Sequence, residues 1–225
     1  MNLHVYPSYA LLSKALVLRF KQCVIDQEKS FIFSGGSSPK LFLQYLAKED
    51  LDWSDVSLLL SDERLVAHND IRSNFRFIKK NLLDKIESKG KPKLFPDMES
   101  YCIESKNYLN NLNHRFNKLP TPRIAFIGIG EDGHYASIFP EQVSQKNVYG
   151  YFKVKNSDED FYRISLPIKN FLSCKQVFII VHGQGKESIL DLLIRSENRD
   201  DIPILHFLSL FQGEVNVYTD IKTGS

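Results

Sequence analysis

A carboxylate and a histidine stand two positions apart in a glycine-rich segment that could hold a catalytic base. Residues 128–134 read Gly-Ile-Gly-Glu-Asp-Gly-His and directly follow an apolar run at 124–127. Histidine can accept a proton near neutral pH, and a neighbouring carboxylate can orient its ring. A lone histidine is more often a structural residue in a tight turn. At the end of a predicted strand we favour catalysis, with His134 as the base and Asp132 beside it.

The glycines of this segment also match the spacing of the dinucleotide-binding fingerprint. That fingerprint requires a long helix after its third glycine, whereas Pro140 interrupts this segment seven residues after Gly133. In addition, Lys153 lies about where an acidic ribose ligand should stand. We therefore reject a dinucleotide site and retain the loop that holds Asp132 and His134.

A second glycine-rich loop, at 34–39, could bind an anion. It reads Ser-Gly-Gly-Ser-Ser-Pro, follows an apolar run at 31–33 and enters a predicted helix. Glycines let backbone N–H groups approach an anion, and a helix N-terminus adds partial positive charge. The loop lacks the Gly-Lys-Ser/Thr ending of a P-loop. Taken alone, it is equally well explained as a plain turn with Ser38 as the helix N-cap.

Charged residues follow other apolar runs of the chain. The segment Ser-Asp-Glu-Arg at 61–64 could orient a base and bind an oxyanion, although a solvated charged turn is the simpler alternative. Arg163 and Lys186 are single basic residues near later predicted strands, where each is more often a surface charge. Together with the loop 34–39 they could neutralise a phosphate, because a dianion usually needs charge-assisted donors.

Several other chemistries and partners are disfavoured by composition. The six histidines are scattered, and there is no Gly-x-Ser-x-Gly or His-Glu-x-x-His motif, so we expect no metal. Three widely spaced cysteines argue against a disulfide framework and favour a reducing compartment. The apolar stretch 15–18 is too short for a membrane span. A net charge of +2, from 29 basic and 27 acidic residues, does not resemble a nucleic-acid binder.

Alternating apolar runs and helical patterns predict an α/β fold, a mostly parallel sheet with helices on both faces. The 225 residues suit a single domain over 1–225. Ligands of such sheets bind beyond the carboxyl ends of the strands, which is where the unusual residues cluster. The expected strands are 3–5, 31–33, 56–60, 124–127, 163–166, 177–181 and 215–218. The expected helices are about 8–25, one starting at Pro39, 73–83, 99–116 and 186–195.

Four blocks, in order, resemble the 6-phosphogluconolactonases, within the wider group that includes glucosamine-6-phosphate deaminases. The most specific block is 128–140, which is similar to Gly-x-Gly-Glu-Asp-Gly-His-Thr-Ala-Ser-Leu-Phe-Pro, with Tyr135 for Thr and Ile138 for Leu. The resemblance covers roughly residues 30–190 and is poor after Arg195. The other matching blocks are 34–39 (Ser-Gly-Gly-Ser-Thr-Pro), 62–66 with Ser73-Asn74 (Asp-Glu-Arg), and 163–166 with 183–186 (Arg-Ile-Thr-Leu and Gly-x-x-Lys).

The resemblance implies a cytoplasmic enzyme of the oxidative pentose phosphate pathway with a Rossmann-like, phosphosugar isomerase/deaminase fold. It would hydrolyse 6-phospho-D-glucono-1,5-lactone to 6-phospho-D-gluconate with no cofactor or metal, and with no nucleic-acid or membrane partner. His134 would activate water, Asp132 would hold the geometry, and Arg64 would face the charge developing on the carbonyl oxygen. The remaining implied site residues are Asp62, Gly35, Gly36, Ser37, Ser38, Asn74, Gly130, Arg163 and Lys186.

Two alternatives belong to other functional classes. Glucosamine-6-phosphate deaminases resemble Asp-Glu-Tyr where this chain has Arg64 as the third residue. They also place Asn-Glu four and five residues after the histidine, where this chain has Ile138 and Phe139, and Glu141 is displaced by two. A non-catalytic sugar-phosphate sensor would usually carry a DNA-binding module, and we expect no room for one before Leu3.

Overall fold

A computed structural model of the chain describes residues 1–67, 69–97, 107–140, 149–196 and 199–222. The predicted alternation of strands and helices is confirmed. The strands are β1 (Asn2–Val5), β2 (Ser30–Phe33), β3 (Ser57–Leu60), β4 (Asp62–Arg64), β5 (Lys93–Phe95), β6 (Ile124–Gly128), β7 (Phe152–Lys155), β8 (Tyr162–Ser165), β9 (Gln176–Val181) and β10 (Glu214–Thr219). The helices are α1 (Tyr9–Ile25), α2 (Lys40–Leu46), α3 (Asn74–Asn81), α4 (Tyr108–Phe116), α5 (Ile168–Leu172), α6 (Glu187–Arg195) and α7 (Pro203–Leu210), with a 3₁₀ turn at Leu83–Lys85.

The main sheet has seven parallel strands in the order β1-β10-β9-β6-β2-β3-β5. Its central strands are apolar apart from a polar first residue in β2, β3 and β9, because both faces are covered. Successive side chains point to opposite faces. In β2, Ile32 therefore packs in one core cluster, whereas Phe31 and Phe33 pack in the other. This confirms the predicted parallel sheet with helices on both faces.

The two core clusters show which helices cover each face. One cluster contains apolar residues of α1, α2 and α3, such as Leu16, Phe42 and Phe75. The opposite cluster contains residues of α4, α5, α6 and α7, such as Leu112 and Phe207. The helices that precede β5 in the chain therefore cover one face of the main sheet, and the helices that follow β5 cover the other face.

Side-chain caps define the starts of two helices in this arrangement. Ser8 accepts a hydrogen bond from the backbone N–H of Leu11 at the start of α1, and Ser73 accepts one from Arg76 at the start of α3. Ser73, the first residue of the predicted helix 73–83, is therefore the N-cap of α3. At α2 the residue preceding the helix is Pro39, which makes no side-chain cap, so Ser38 is not the N-cap.

The strand order reverses direction between β2 and β6. From β2 the chain proceeds outward through β3 to β5, then returns to place β6 on the other side of β2. Connections leave the two neighbouring strands in opposite directions at such a point, which opens a crevice beyond their carboxyl ends. Ligands of open parallel sheets bind in this crevice.

One predicted strand lies in a different sheet from the one expected. The predicted strand 163–166 corresponds to β8 (Tyr162–Ser165), but β8 pairs antiparallel with β4 and β7 in a separate three-stranded sheet. The position of β8 follows from that of β4. Only Ser61 separates β4 from β3, and β4 extends the chain beyond the main sheet. The backbone N–H of Leu166 then bonds the carbonyl of Ser61 at 2.8 Å. An apolar run indicates a buried strand but does not identify its partner.

Other differences concern short elements. Strands β5 and β7 and helices α5 and α7 were not anticipated, because runs of three to eight residues carry little periodicity. The predicted helix 99–116 is present as α4, and its portion 99–106 lies outside the described residues. Within the part of the chain that is described, no helix combines the length and apolar character needed to cross a bilayer.

We expect α1 to contribute to stability through one face only. Leu16 is fully buried, whereas Leu18, two residues further along the same helix, is 66% exposed. Leu16→Ala should lower the free energy of unfolding by about 2–5 kcal/mol, through lost burial and a cavity. The matched Leu18→Ala should change it by less than about 0.5 kcal/mol. Urea unfolding followed by circular dichroism measures both, and equal losses would contradict the described packing of α1.

Candidate active site

A cleft of about 490 Å³ lies at the carboxyl end of the main sheet. It is formed where β2, β3, β6 and β9, four neighbouring strands, end. Every site residue predicted from the sequence lines this cleft, although those residues are spread over more than 150 positions of the chain. The lining residues are Gly35, Gly36, Ser37, Ser38, Asp62, Arg64, Asn74, Gly130, Asp132, His134, Arg163 and Lys186, together with Ser34, Gly128, Ile129, Glu131 and Ala136.

His134 is held by Asp132 in a short loop, residues 129–134, that follows β6 and forms the base loop of the cleft. The ring Nδ1 lies 2.6 Å from the Asp132 Oδ1 atom, and the same oxygen accepts the backbone N–H of His134 at 3.1 Å. When the Nδ1–H group donates a hydrogen bond to the carboxylate, the other ring nitrogen, Nε2, carries no proton and can act as an acceptor. Nε2 makes no hydrogen bond within the described residues, and the side chain is 34% exposed. The arrangement therefore presents an oriented base to the cleft.

Gly130 allows the base loop to fold tightly. Its N–H donates to the carbonyl of His134 at 2.8 Å, which closes the loop. A Cβ atom at this position would lie 2.2 Å from the His134 Nδ1 and 2.7 Å from the Asp132 Oδ1. Any side chain would therefore displace the pair, and the glycine is a requirement of the site.

The Asp62 carboxylate is buried behind the base loop and binds several segments. Its Oδ1 accepts hydrogen bonds from Ser61 and Asn74, both at 3.1 Å. Its Oδ2 accepts the Ser137 hydroxyl at 2.7 Å and lies 3.5 Å from an Arg163 nitrogen. A buried carboxylate is stable only when its oxygens are occupied in this way. Asp62 consequently joins the end of β3 to α3, to β8 and to the segment that follows His134.

Glu63 faces away from the cleft and fixes the start of α3. Its carboxylate accepts the backbone N–H groups of Arg64, Asn74 and Phe75 at 2.6–2.7 Å, and the Ser73 hydroxyl at 3.0 Å. Burial raises the pKa of Glu63, these four hydrogen bonds oppose that shift, and the net pKa is about 7. The sequence left the role of Glu63 open. The structure makes it the group that places Arg64 and Asn74 at the cleft.

Arg64 extends along the cleft from the end of β4. One terminal nitrogen donates to the carbonyl of Arg72, which fixes the guanidinium. Its Nε is buried and has no hydrogen-bond partner in the described part of the chain. Arg64 therefore lines the cleft through its other atoms.

Arg163 reaches the cleft, but its guanidinium is largely engaged by carboxylates. Its Nε donates to Glu159 at 2.7 Å, a second nitrogen also bonds Glu159, and the third contacts Asp62 and Ser137. The side chain is almost fully buried. Arg163 therefore contributes positive charge to the wall of the cleft while its own donors are mostly occupied.

Ser38 and Lys186 meet at the other side of the cleft. The Lys186 ammonium donates to the Ser38 hydroxyl at 2.9 Å, although 148 positions separate the two residues. Burial lowers the pKa of Lys186, and the Glu131 carboxylate opposes that shift. An anion bound here would stabilise the charged ammonium, so the pair forms a cationic end of the cleft.

Gly35 brings the loop 34–39 close to Asn74. A Cβ atom on Gly35 would lie 2.0 Å from the Asn74 amide oxygen. The amide nitrogen of Asn74 donates to the Asp62 carbonyl at 2.9 Å. The contact therefore connects the glycine-rich loop to the buried Asp62 cluster.

Two lining or supporting residues were not assigned roles from the sequence. Glu131 stands beside Lys186, and its carboxylate closely approaches Gly185. Ser137 links the base loop to Asp62 and, through its backbone N–H, to the Ser165 hydroxyl at 3.1 Å. Both residues lie within the block 128–140, and this position in the sequence was the only feature that could have marked them as part of the site. Among the described residues, no group of three or more His, Cys, Asp or Glu side chains could hold a metal ion.

Comparison with known proteins identifies related sequences. The profile of the family described as glucosamine-6-phosphate isomerases/6-phosphogluconolactonase matches residues 9–216. A 6-phosphogluconolactonase of Helicobacter pylori is 30% identical over 203 residues, which cover 87% of this chain and 87% of the relative. The match therefore extends well beyond the blocks around the cleft.

Solved structures share the fold. A crystal structure of a 6-phosphogluconolactonase from Shewanella baltica has a TM-score of 0.83 at 22% identity and covers 97% of each chain. A monomeric glucosamine-6-phosphate deaminase has a TM-score of 0.79 at 17% identity, again over 97% of each chain. One fold thus serves two reactions, and the choice between them depends on residues in the cleft.

Glu63→Gln should destabilise the protein and disturb the cleft. A glutamine amide has one acceptor oxygen, so its NH₂ group would face backbone N–H donors that the carboxylate now accepts. Each buried donor left without a partner costs about 1–3 kcal/mol. The neutral amide also avoids the burial cost that raises the pKa of the carboxylate, which offsets part of this loss. We therefore expect a net loss in the free energy of unfolding of about 1–3 kcal/mol, measured in urea at pH 8. The control is Glu87→Gln at an exposed position, for which the change should stay within about 0.5 kcal/mol. Equal stability of both variants would contradict the assigned role of Glu63.

Proposed function

This chain belongs to the family of glucosamine-6-phosphate isomerases and 6-phosphogluconolactonases, and we propose that it hydrolyses 6-phospho-D-glucono-1,5-lactone to 6-phospho-D-gluconate. The observation that carries the proposal is the oriented His134–Asp132 pair in the same cleft as the cationic Ser38–Lys186 pair. The first pair suits proton transfer from water, and the second suits a phosphate. A phosphorylated lactone presents both groups in one small molecule.

His134 acts as the general base. Its Nε2 takes a proton from water while the water oxygen attacks the carbonyl carbon of the lactone. The tetrahedral intermediate then collapses, the bond between that carbon and the ring oxygen breaks, and the imidazolium returns its proton to the ring oxygen. Asp132 keeps the imidazole in the required tautomer and stabilises the imidazolium.

Arg64 stabilises the negative charge that develops on the carbonyl oxygen. It lines the cleft, and its guanidinium is anchored on the Arg72 carbonyl. A fixed donor costs no reorganisation when the charge forms. Because a lactone ester is already reactive, one positioned base and one such donor suffice.

The phosphate binds at the Ser38–Lys186 end of the cleft. The Lys186 ammonium supplies charge, while the hydroxyls of Ser37 and Ser38 and the backbone of the glycine-rich loop supply hydrogen-bond donors. Arg163 adds positive charge at longer range, because its own donors are engaged by Glu159 and Asp62. Asn74 holds the loop through Gly35.

Deaminase activity is disfavoured by what stands beside the base. The sequence position at which deaminases carry the ring-opening glutamate is Phe139 here. Its ring lies 5.0 Å from the His134 ring, centroid to centroid, and 5.6 Å from the Arg163 guanidinium. A phenyl ring cannot transfer a proton, so this arrangement supports hydrolysis of a lactone, whose ring opens by attack of water. A sensor without activity would not need the oriented base.

The proposed reaction is tested by a coupled assay. Glucose-6-phosphate dehydrogenase generates the lactone, and acid release is followed with and without the protein, in the presence of EDTA. We expect the protein to accelerate ring opening above the spontaneous rate, and His134→Ala to reduce turnover by about 10²–10⁴-fold, because the base is removed.

The control for this assay is His114→Ala, a histidine on α4 outside the cleft, which should retain wild-type turnover. Absence of acceleration by the wild-type protein would refute the proposed function. A His134→Ala variant within threefold of wild type would place the base elsewhere. If activity were lost in EDTA and restored by zinc or magnesium, the proposed metal-free mechanism would be wrong.

Lys186→Met should separate phosphate recognition from chemistry. Loss of the ammonium removes the charge that holds the phosphate, so kcat/KM for the phosphorylated lactone should fall by roughly 10–100-fold, the range for hydrogen bonds to charged groups. The rate with unphosphorylated glucono-1,5-lactone should be nearly unchanged. Lys169→Met, at an exposed position of α5, is the matched control. A similar fall for both substrates would mean that Lys186 does not serve the phosphate.

A further inference from the structure

Tyr9 lies directly behind the glycine-rich loop, outside the cleft. It is the first residue of α1, and neither Tyr9 nor the neighbouring His182 lines the cleft. The Tyr9 hydroxyl lies 3.1 Å from the Ser37 carbonyl oxygen and 2.9 Å from that of Ser38. The backbone N–H of Leu41 donates to the same hydroxyl oxygen at 2.9 Å. One phenol therefore contacts two adjacent carbonyls of the loop and one backbone N–H in the first turn of α2.

These contacts use the hydroxyl in both of its roles. Burial raises the pKa of Tyr9, so the phenol keeps its proton and can donate it to the two carbonyl oxygens. Its lone pair accepts the Leu41 N–H, one of the unpaired donors of the first turn of α2. Pro39 provides no side-chain cap for that helix, so the Tyr9 hydroxyl takes the place of a cap.

The Tyr9 ring is braced from the ends of two strands of the main sheet. It stacks on the His182 ring at 3.5 Å between centroids, with 6° between the planes. His182 follows β9, and its Nδ1 lies 2.9 Å and 3.0 Å from the two oxygens of Asp220, which follows β10. The stack and the hydrogen bonds of His182 to Asp220 leave the phenol little freedom to move away from the loop.

We propose that Tyr9 is a positioning residue for phosphate binding, holding the Ser37 and Ser38 carbonyls away from the bound phosphate. A carbonyl oxygen that turned into the cleft would repel the anion. The Ser37 carbonyl also accepts the backbone N–H of Lys40 at 3.1 Å, so the Ser38 carbonyl is the one whose orientation depends most on Tyr9. With that carbonyl held by Tyr9, the Ser38 hydroxyl remains bonded to Lys186 on the side of the cleft. This inference rests on the proposed function of the cleft, because it assigns the loop to the phosphate of the substrate.

Tyr9→Phe tests the role, since it removes the hydroxyl and keeps the stacked ring. One hydrogen-bonding group is lost, so KM for the phosphorylated lactone should rise about fivefold to tenfold while kcat stays within twofold. The rate with unphosphorylated glucono-1,5-lactone should not change. A merely structural role would lower the rates with both substrates together. The matched control is Tyr45→Phe on α2, whose hydroxyl makes no hydrogen bond among the described residues, and it should behave as wild type.

A second measurement does not depend on turnover. The affinity for inorganic phosphate, measured by calorimetry, should be weaker in Tyr9→Phe than in wild type and unchanged in Tyr45→Phe. His182→Ala, which removes the stacked ring, should weaken phosphate binding in the same direction. If wild type binds phosphate more tightly than Tyr9→Phe yet opens no lactone, the proposed reaction fails and the role of Tyr9 stands. If wild type opens the lactone and Tyr9→Phe matches it in KM and in phosphate affinity, the role of Tyr9 is overturned.

Discussion

The buried Asp62 carboxylate is the constraint on which the geometry of the cleft depends. It accepts hydrogen bonds from the end of β3, from α3 and from the segment behind His134, and it contacts the guanidinium from β8. Each of these groups would lose a partner without it, and a buried polar group that loses a partner is destabilising. The three-stranded sheet and the main sheet are therefore joined at a polar point, and the base loop is anchored to that same point.

The cleft has two ends with different chemistry, the His134–Asp132 pair and the Ser38–Lys186 pair. At one end the His134 ring is partly exposed and is held through one nitrogen only, which suits the proton transfer proposed for it. At the other end Ser38 and Lys186 are already hydrogen-bonded to each other, which suits the proposed binding of an anion without rearrangement. Two residues outside the cleft hold these ends in place. Glu63 accepts the backbone N–H groups of Arg64 and Asn74. Tyr9 contacts the backbone of the glycine-rich loop.

The same scaffold serves two reactions in related proteins, which locates selectivity in single side chains rather than in the fold. Phe139 is one such side chain, because it packs on the base in a position where another chemistry would need a carboxylate. Arg64 is a second, with a guanidinium held against the Arg72 carbonyl.

The sequence by itself was sufficient for the parallel sheet and for the membership of the cleft. Fully apolar runs such as 124–127 indicate strands covered on both faces, and their ends converge because parallel strands point the same way. The sequence could not assign 163–166 to the second sheet, because the alternation of side chains is the same whichever strand lies alongside. It also could not show that Arg163 is engaged by Glu159, or that Tyr9 lies behind Ser37 and Ser38. Hydrogen bonds between residues far apart in the chain depend on distances of a few ångströms, and only the packing of the helices on the sheet decides those distances.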